Sequence, residues 1–241
     1  MKKIMICITT VVLTVLCGCS KTDGDPITKE FSINNTYTEL NVSHAFNVTV
    51  SDEVTQVTVT AGDRIMPKVI VEEKNGKLTI RLKNLTVANG SLTALIPYNS
   101  NLKDVDLSGA SEFHSQHPIT AQSVSIDLSG ASRFYGEIEA ATKLDLDLSG
   151  ASDATLTGTV GTLDLELSGA SNIMQTIVGN KYGLSCNNCE GDMSGASTAY
   201  IHCDGTISVN LSGASTIHYT GNASTSGCSL SGSSNVIHDV L

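Results

Sequence analysis

From residue 101 onward, apolar and polar positions alternate in short runs, and run after run ends on the same four residues. The tetrapeptide SGAS starts at Ser108, Ser129, Ser149, Ser168, Ser194 and Ser212, with SGSS at Ser231, at intervals of 21, 20, 19, 26, 18 and 19 residues. A repeat of this period predicts a solenoid. Helical repeats run to more than about 30 residues, and leucine-rich repeats would carry an Asn or Cys column that is missing here. Three short strands with turns between them fit about 20 residues. The predicted architecture is all-β: a parallel, right-handed β-helix with coils of about 20 residues.

Alignment on the first Ser shows the pleat. One position before it stand Leu107, Leu128, Leu148, Leu167, Met193, Leu211 and Leu230; three before stand Val105, Ile126, Leu146, Leu165, Gly191, Val209 and Cys228. Five before, the column is Lys103, Val124, Leu144, Leu163, Cys189, Ile207 and Ser226. Five after, it is Phe113, Phe134, Ala154, Ile173, Ala199, Ile217 and Val236. Alternate side chains of a strand share a face, so these columns are predicted to fill the interior. Within SGAS the Gly supplies a corner and the small Ala is expected to tuck inside. The serines read as corner residues, not as nucleophiles.

Residues 31–100 pattern differently, with alternating strands predicted at 31–33, 40–42, 46–50, 57–59, 69–71 and 78–82. Asn75-Gly76 between the last two suits a type I′ hairpin turn. This region is expected to cover the first coil, whose edge would otherwise expose unpaired backbone. The predicted domain is 36–241, divided into an N-terminal cap (36–100) and the repeat coils (101–241).

Several of these features belong together. Ser43-His44-Ala45-Phe46 followed by Val48 and Val50, the Asn75-Gly76 hairpin before Leu78, Ile96-Pro97 before Leu102, and the LSGAS repeats resemble the auto-transporter adhesin head GIN domain of Bacteroidetes-type secreted lipoproteins. The resemblance covers roughly residues 36–220. It implies a β-helical fold and an extracytoplasmic location, and it brings no catalytic residues with it.

Composition adds little to the fold and more to the partners. Aromatics at 4%, charged residues at 16% and a hydrophobic content of 40% disfavour a helical bundle and disorder alike. A formal charge of −10 excludes a nucleic-acid surface. That charge is lopsided: residues 19–100 hold 9 acids against 8 bases, and residues 101–241 hold 15 against 4. Two positions before each SGAS, facing outward, stand Asp106, Asp127, Asp147, Glu166 and Asp192, followed by Asn210 and Ser229. Four before stand Asp104, Ser125, Asp145, Asp164, Glu190, Ser208 and Gly227. Stacked one rung apart, at about 4.8 Å, such carboxylates repel. They read first as a solvated face and second as a weak, multi-ion ladder for a divalent metal such as Ca²⁺, through Asp106, Asp127, Asp147, Glu166 and Asp192. No other cofactor is predicted.

Cysteine and histidine offer few alternatives. Cys186-x-x-Cys189 lacks both the helix N-terminus of a redox motif and the paired His of a zinc site. Cys186 stands eight positions before Ser194 and Cys203 nine before Ser212, which places them near one corner of adjacent coils. A Cys186–Cys203 disulfide is therefore expected, with Cys186–Cys189 the competing pair. His114 and His218 occupy equivalent positions five repeats apart. Parallel β-helices also host polysaccharide lyases and hydrolases, the alternative reading, yet residues 101–241 supply only Lys103, Arg133, Lys143 and Lys181 as bases. Of these, Arg133 and Lys143 could approach one another.

The first residues carry an address. Lys2 and Lys3 precede an apolar run at 4–16, too short to span a bilayer, which ends in Leu16-Cys17-Gly18-Cys19. This resembles a bacterial lipobox with Cys19 as the lipidated residue. Residues 1–18 then form the signal peptide, and 19–35 the lipidated Cys and a polar tether. The resulting expectation is a lipoprotein of the outer membrane, on the cell surface or facing the periplasm, held to the membrane by its N-terminal lipid. It would bind a glycan or an envelope protein and would not be an enzyme.

Overall fold

The computed structural model describes residues 23–84 and 88–241. The fold is all-β, and among the described residues the sole helical turn is a 3₁₀ segment at Met66–Lys68. Seven strands precede the repeats: β1 (Pro26–Phe31), β2 (Glu39–Val42), β3 (Phe46–Ser51), β4 (Val57–Gly62), β5 (Val69–Lys74), β6 (Lys77–Leu82) and β7 (Leu92–Pro97). The repeats open with β8 (Asp104–Leu107), β9 (Glu112–His114), β10 (Ile119–Leu128), β11 (Arg133–Leu148) and β12 (Asp153–Leu167). They continue through β13 (Asn172–Ile173), the two-stranded hairpin β14 (Ile177–Val178) and β15 (Lys181–Tyr182), then β16 (Leu184–Met193), β17 (Thr198–Leu211), β18 (Thr216–Thr220), β19 (Ser229–Leu230) and β20 (Asn235–His238).

Successive copies lie parallel and in step. Leu107 pairs Leu128, Leu128 pairs Leu148, Leu148 pairs Leu167, and the line runs on through Met193 and Leu211 to Leu230. Leu107 to Leu211 are buried in that column, while Leu230, in the last coil, is half exposed. Phe113 and Phe134 stack at 5.1 Å inside the coils. Each fully buried Leu or Phe contributes about 2 kcal/mol over its exposed state, which is why a chain poor in aromatics holds together.

The corners differ from expectation in one respect. Ala110, Ala131, Ala151, Ala170, Ala196 and Ala214 face outward, and the second Ser of each motif is buried. Its hydroxyl donates to the carbonyl of the first Ser, for example Ser152 to Ser149 at 2.8 Å and Ser171 to Ser168 at 2.7 Å. A buried hydroxyl satisfied within its own turn costs little. The Gly column carries the corner itself: Gly150 has φ +75°, and a Cβ there would lie 2.5 Å from the Gly130 carbonyl oxygen. Only a residue without a side chain lets coils stack so closely.

The N-terminal strands continue this stack. Leu40 and Val42 pair Val105 and Leu107 on one side and Leu78 and Ile80 on the other, all parallel. Ser43-His44-Ala45 turns where SGAS turns below it, with φ +70° at His44 and +60° at Ala45, and Ser108 N donates to Val42 O at 2.9 Å. Antiparallel partners then flank the parallel strands: β5 on β6, β4 on β7, and β1 on β4. Part of the segment expected as a tether is thus an edge strand. Asp23 is also buried, and its carboxylate accepts from the Asn89 and Gly90 N–H groups at 2.6 Å.

Candidate functional site

The outward acid column is continuous. Asp106, Asp127, Asp147, Glu166 and Asp192 are register partners rung by rung. An amide closes each end: Asn41 donates to Asp106 at 2.5 Å, and Asn210 donates to Asp192 at 3.0 Å. In the neighbouring column Lys143 reaches Asp145 at 2.6 Å and Asp164 at 2.7 Å, and these two carboxylates push its ammonium up. Burial first, then the charges of Asp106 and Asp147, raises the Asp127 carboxyl above the ordinary range. Asp106 is raised chiefly by burial, against the hydrogen bond from Asn41 and the charge of Lys77. Among the described residues no three carboxylate, His or Cys side chains converge as a metal-holding group.

The cations fall apart from one another. Arg133 lies 3.9 Å from Asp153, Lys103 lies 3.6 Å from Asp104, and Lys181 donates to the Ser185 hydroxyl at 3.0 Å. Arg133 and Lys143 are thus each drawn to their own carboxylates rather than to a common groove. The histidines are likewise engaged. His114 stacks on Tyr135 at 4.4 Å and pairs Glu112 at 3.1 Å. His218 stacks on Tyr200 at 4.7 Å and shares the Asp239 carboxylate, at 2.9 Å, with the Tyr182 hydroxyl, at 2.5 Å. Burial opposes the charge on Asp239, but these two donors hold its carboxyl below the ordinary range. Such aromatic–histidine stacks follow from residues one coil apart facing the same way. That signal was present in the spacing of Tyr200 and His218.

Cys186 and Cys203 are register partners on adjacent strands, both buried. The described cysteines are free thiols, and hydrogen bonding to Cys203, then burial, pushes the Cys186 thiol up. Cys189 is buried in the neighbouring column. Cys19 lies outside the described residues.

A third feature sits where the N-terminal strands meet the first coil. Tyr37, Ile96, Tyr98, Asn99, Ser115 and His117 line a narrow cleft. Tyr98 is 41% exposed at its mouth and tilts against the His117 ring at 4.4 Å, and His117 is fixed by Asp52 at 2.8 Å. The chain entering the cleft is held by Glu73, whose carboxylate accepts from the N–H groups of Asn34, Asn35 and Thr36 and from the Thr36 hydroxyl. Burial raises the Glu73 carboxyl, but those donors outweigh it and hold it below the ordinary range. Burial, then the Glu73 charge, pushes the Tyr37 phenol up, offset in part by a hydrogen bond with the Asn99 side chain.

Parallel coils with extended polar and acidic outer faces define a stacked all-β scaffold. The chain belongs to the family described as "putative auto-transporter adhesin, head GIN domain", which matches residues 36–223. The fold is also similar to three solved structures. A putative adhesin from Bacteroides fragilis shares 17% identity at a TM-score of 0.75, over 89% of this chain and 97% of that one. One from Parabacteroides merdae shares 19% identity at 0.66, over 90% and 97%. A protein from Parabacteroides distasonis described as a putative lipid binding protein shares 18% identity at 0.61, over 90% and 97%. No curated protein matches the sequence. Among the described residues no helix is long and apolar enough to cross a membrane.

Proposed function

We propose that this chain is an adhesion or binding module of the bacterial cell envelope, lipid-anchored through Cys19, whose body is a right-handed parallel β-helix. The match of residues 36–223 to an adhesin family carries the reading. Handedness follows from the rule that crossovers between parallel strands of one sheet are right-handed in about 98% of cases. The lipobox-like end at Cys19 supports a body held outside the cytoplasm, at the outer membrane, facing either the surface or the periplasm. Its outward faces are rows of short polar and acidic side chains, suited to glycans or to envelope proteins with basic surfaces. The acid column would gather Ca²⁺ only weakly, since a strand face offers few oxygens per ion. A lyase or hydrolase would need a base free to take a proton beside its acids, and the four Lys and Arg side chains of residues 101–241 each lie against a carboxylate or hydroxyl partner.

A glycan array run beside a polysaccharide-cleavage screen on the 20–241 fragment tests the proposal. Retention of particular glycans without release of reducing ends is the expected result. Turnover of any polysaccharide would move the chain to the enzyme reading.

A further inference from the structure

The stack of coils has two ends, and their strand edges differ in charge. Among the described residues, the outer edges at the N-terminal end belong to β1, which pairs only β4, and to β5, which pairs only β6. Both strands are charged, through Lys29 and Glu30 in β1 and Glu72, Glu73 and Lys74 in β5. Charge on an edge strand protects it from pairing with another chain. At the other end β19 pairs only β17, and β20 only β18, among the described residues. The core columns open to solvent there. Leu211 and Ile217 are buried, but Leu230, one coil on from Leu211, is 50% exposed, and Val236, one coil on from Ile217, is only partly buried. Ile237 of β20 is 38% exposed. Within residues 205–241 the only Asp, Glu, Lys or Arg is Asp239, and its carboxylate is held by Tyr182 and His218. The outward acid columns stop at Glu190 and Asp192 and run on as Ser208, Gly227, Asn210 and Ser229.

We propose that this neutral coil edge docks a second copy of the chain, the two β20 strands pairing antiparallel about a two-fold axis. The outer edge of β20 takes another strand by the same backbone hydrogen bonds that join the coils. A two-fold contact sets like surface against like surface. Acids facing one another in that way would repel, as they do along the outer columns, whereas an edge of Ser, Asn, Val and Ile does not. The contact also covers Leu230 and Val236 and so completes apolar columns that otherwise open to water. A head-to-tail contact would instead set this apolar edge against the charged β1 and β5, and it would build a filament. In the two-fold pair the N-terminal strands lie at the two far ends. The pairing goes beyond the binding-module reading and does not depend on the anchor at Cys19.

Light scattering after size exclusion, with small-angle X-ray scattering, tests this on the purified chain across micromolar concentrations. The wild-type mass should rise to that of a dimer, and the dimer should be about twice as long as the monomer rather than twice as wide. Ile237→Lys and Asn235→Lys each put a charge on the edge at an exposed position. Each should leave a monomer at every concentration, with the circular dichroism of a folded β protein. Ile27→Lys, at an exposed position of β1, should leave the dimer intact. A wild-type chain that stays monomeric throughout overturns the proposal and leaves the binding-module reading standing. A dimer that survives both edge lysines, or a mass that climbs past two copies, overturns it as well.

Discussion

Ser152 shows how much of a corner depends on one hydroxyl. Its Oγ closes the turn onto Ser149 O, and its neighbour Ala151 looks outward to solvent. Ser152→Ala should therefore cost about 1 kcal/mol in a urea melt. Gly150→Ala should cost about 2 kcal/mol or more, because a left-handed φ and a carbonyl 2.5 Å from the new Cβ act together. Equal costs for the two would mean that the Gly column does not set the coil spacing. The acids respond to pH with opposite signs. Asp127 has its folded carboxyl raised above the ordinary value of about 3.9, so between those limits the folded chain holds more protons than the unfolded one. Stability rises as pH falls through that window. Glu73 is held low, so its contribution is present above about pH 4.3 and is lost as pH falls towards its folded value. Thermal melts across this range should climb on mild acidification and then fall. Asp127→Asn should flatten the climb and Glu73→Gln the fall.

At the scale of strands, the interior columns were legible because alternation has a period of two and seven copies repeat it. The buried Ser was not, although counting alternate positions straight through the corner places it inward; a polar residue at a core position becomes plausible only once its bond to the preceding carbonyl is seen. The corner at Ser43-His44-Ala45 escaped for a related reason: it lacks the glycine, and His44 and Ala45 take positive φ instead. The cleft at Tyr37 joins residues 37, 98 and 117, which no local pattern connects. Cys186 and Cys203, by contrast, follow from register alone, and they stand opposite one another. Under oxidising conditions a disulfide between them is expected, with Cys228 left reduced. Peptide mapping without reduction checks it; four alkylated thiols after unfolding would show that adjacency was not enough.

Across the whole molecule the charge is gathered on one outer face of the coils, five carboxylates deep, and the N-terminal strands add Glu39 above Asp104 in the next column. Repulsion along such a column weakens with salt, so added NaCl should raise the melting temperature. A larger rise with Ca²⁺ at matched ionic strength would mark ion binding, and indifference to both would leave a solvated face. On the proposed reading, a polar-faced stack tethered through Cys19 would work by contact outside the cytoplasm. The most direct measurement is attachment. Cells producing the chain, cells producing its Cys19→Ala variant and cells lacking it are compared on glycan-coated surfaces, with the chain assayed in membrane and medium fractions. The account predicts more attachment with the intact chain, and loss of both attachment and membrane retention with Cys19→Ala. Equal attachment by all three, with the variant still in the membrane fraction, would contradict it.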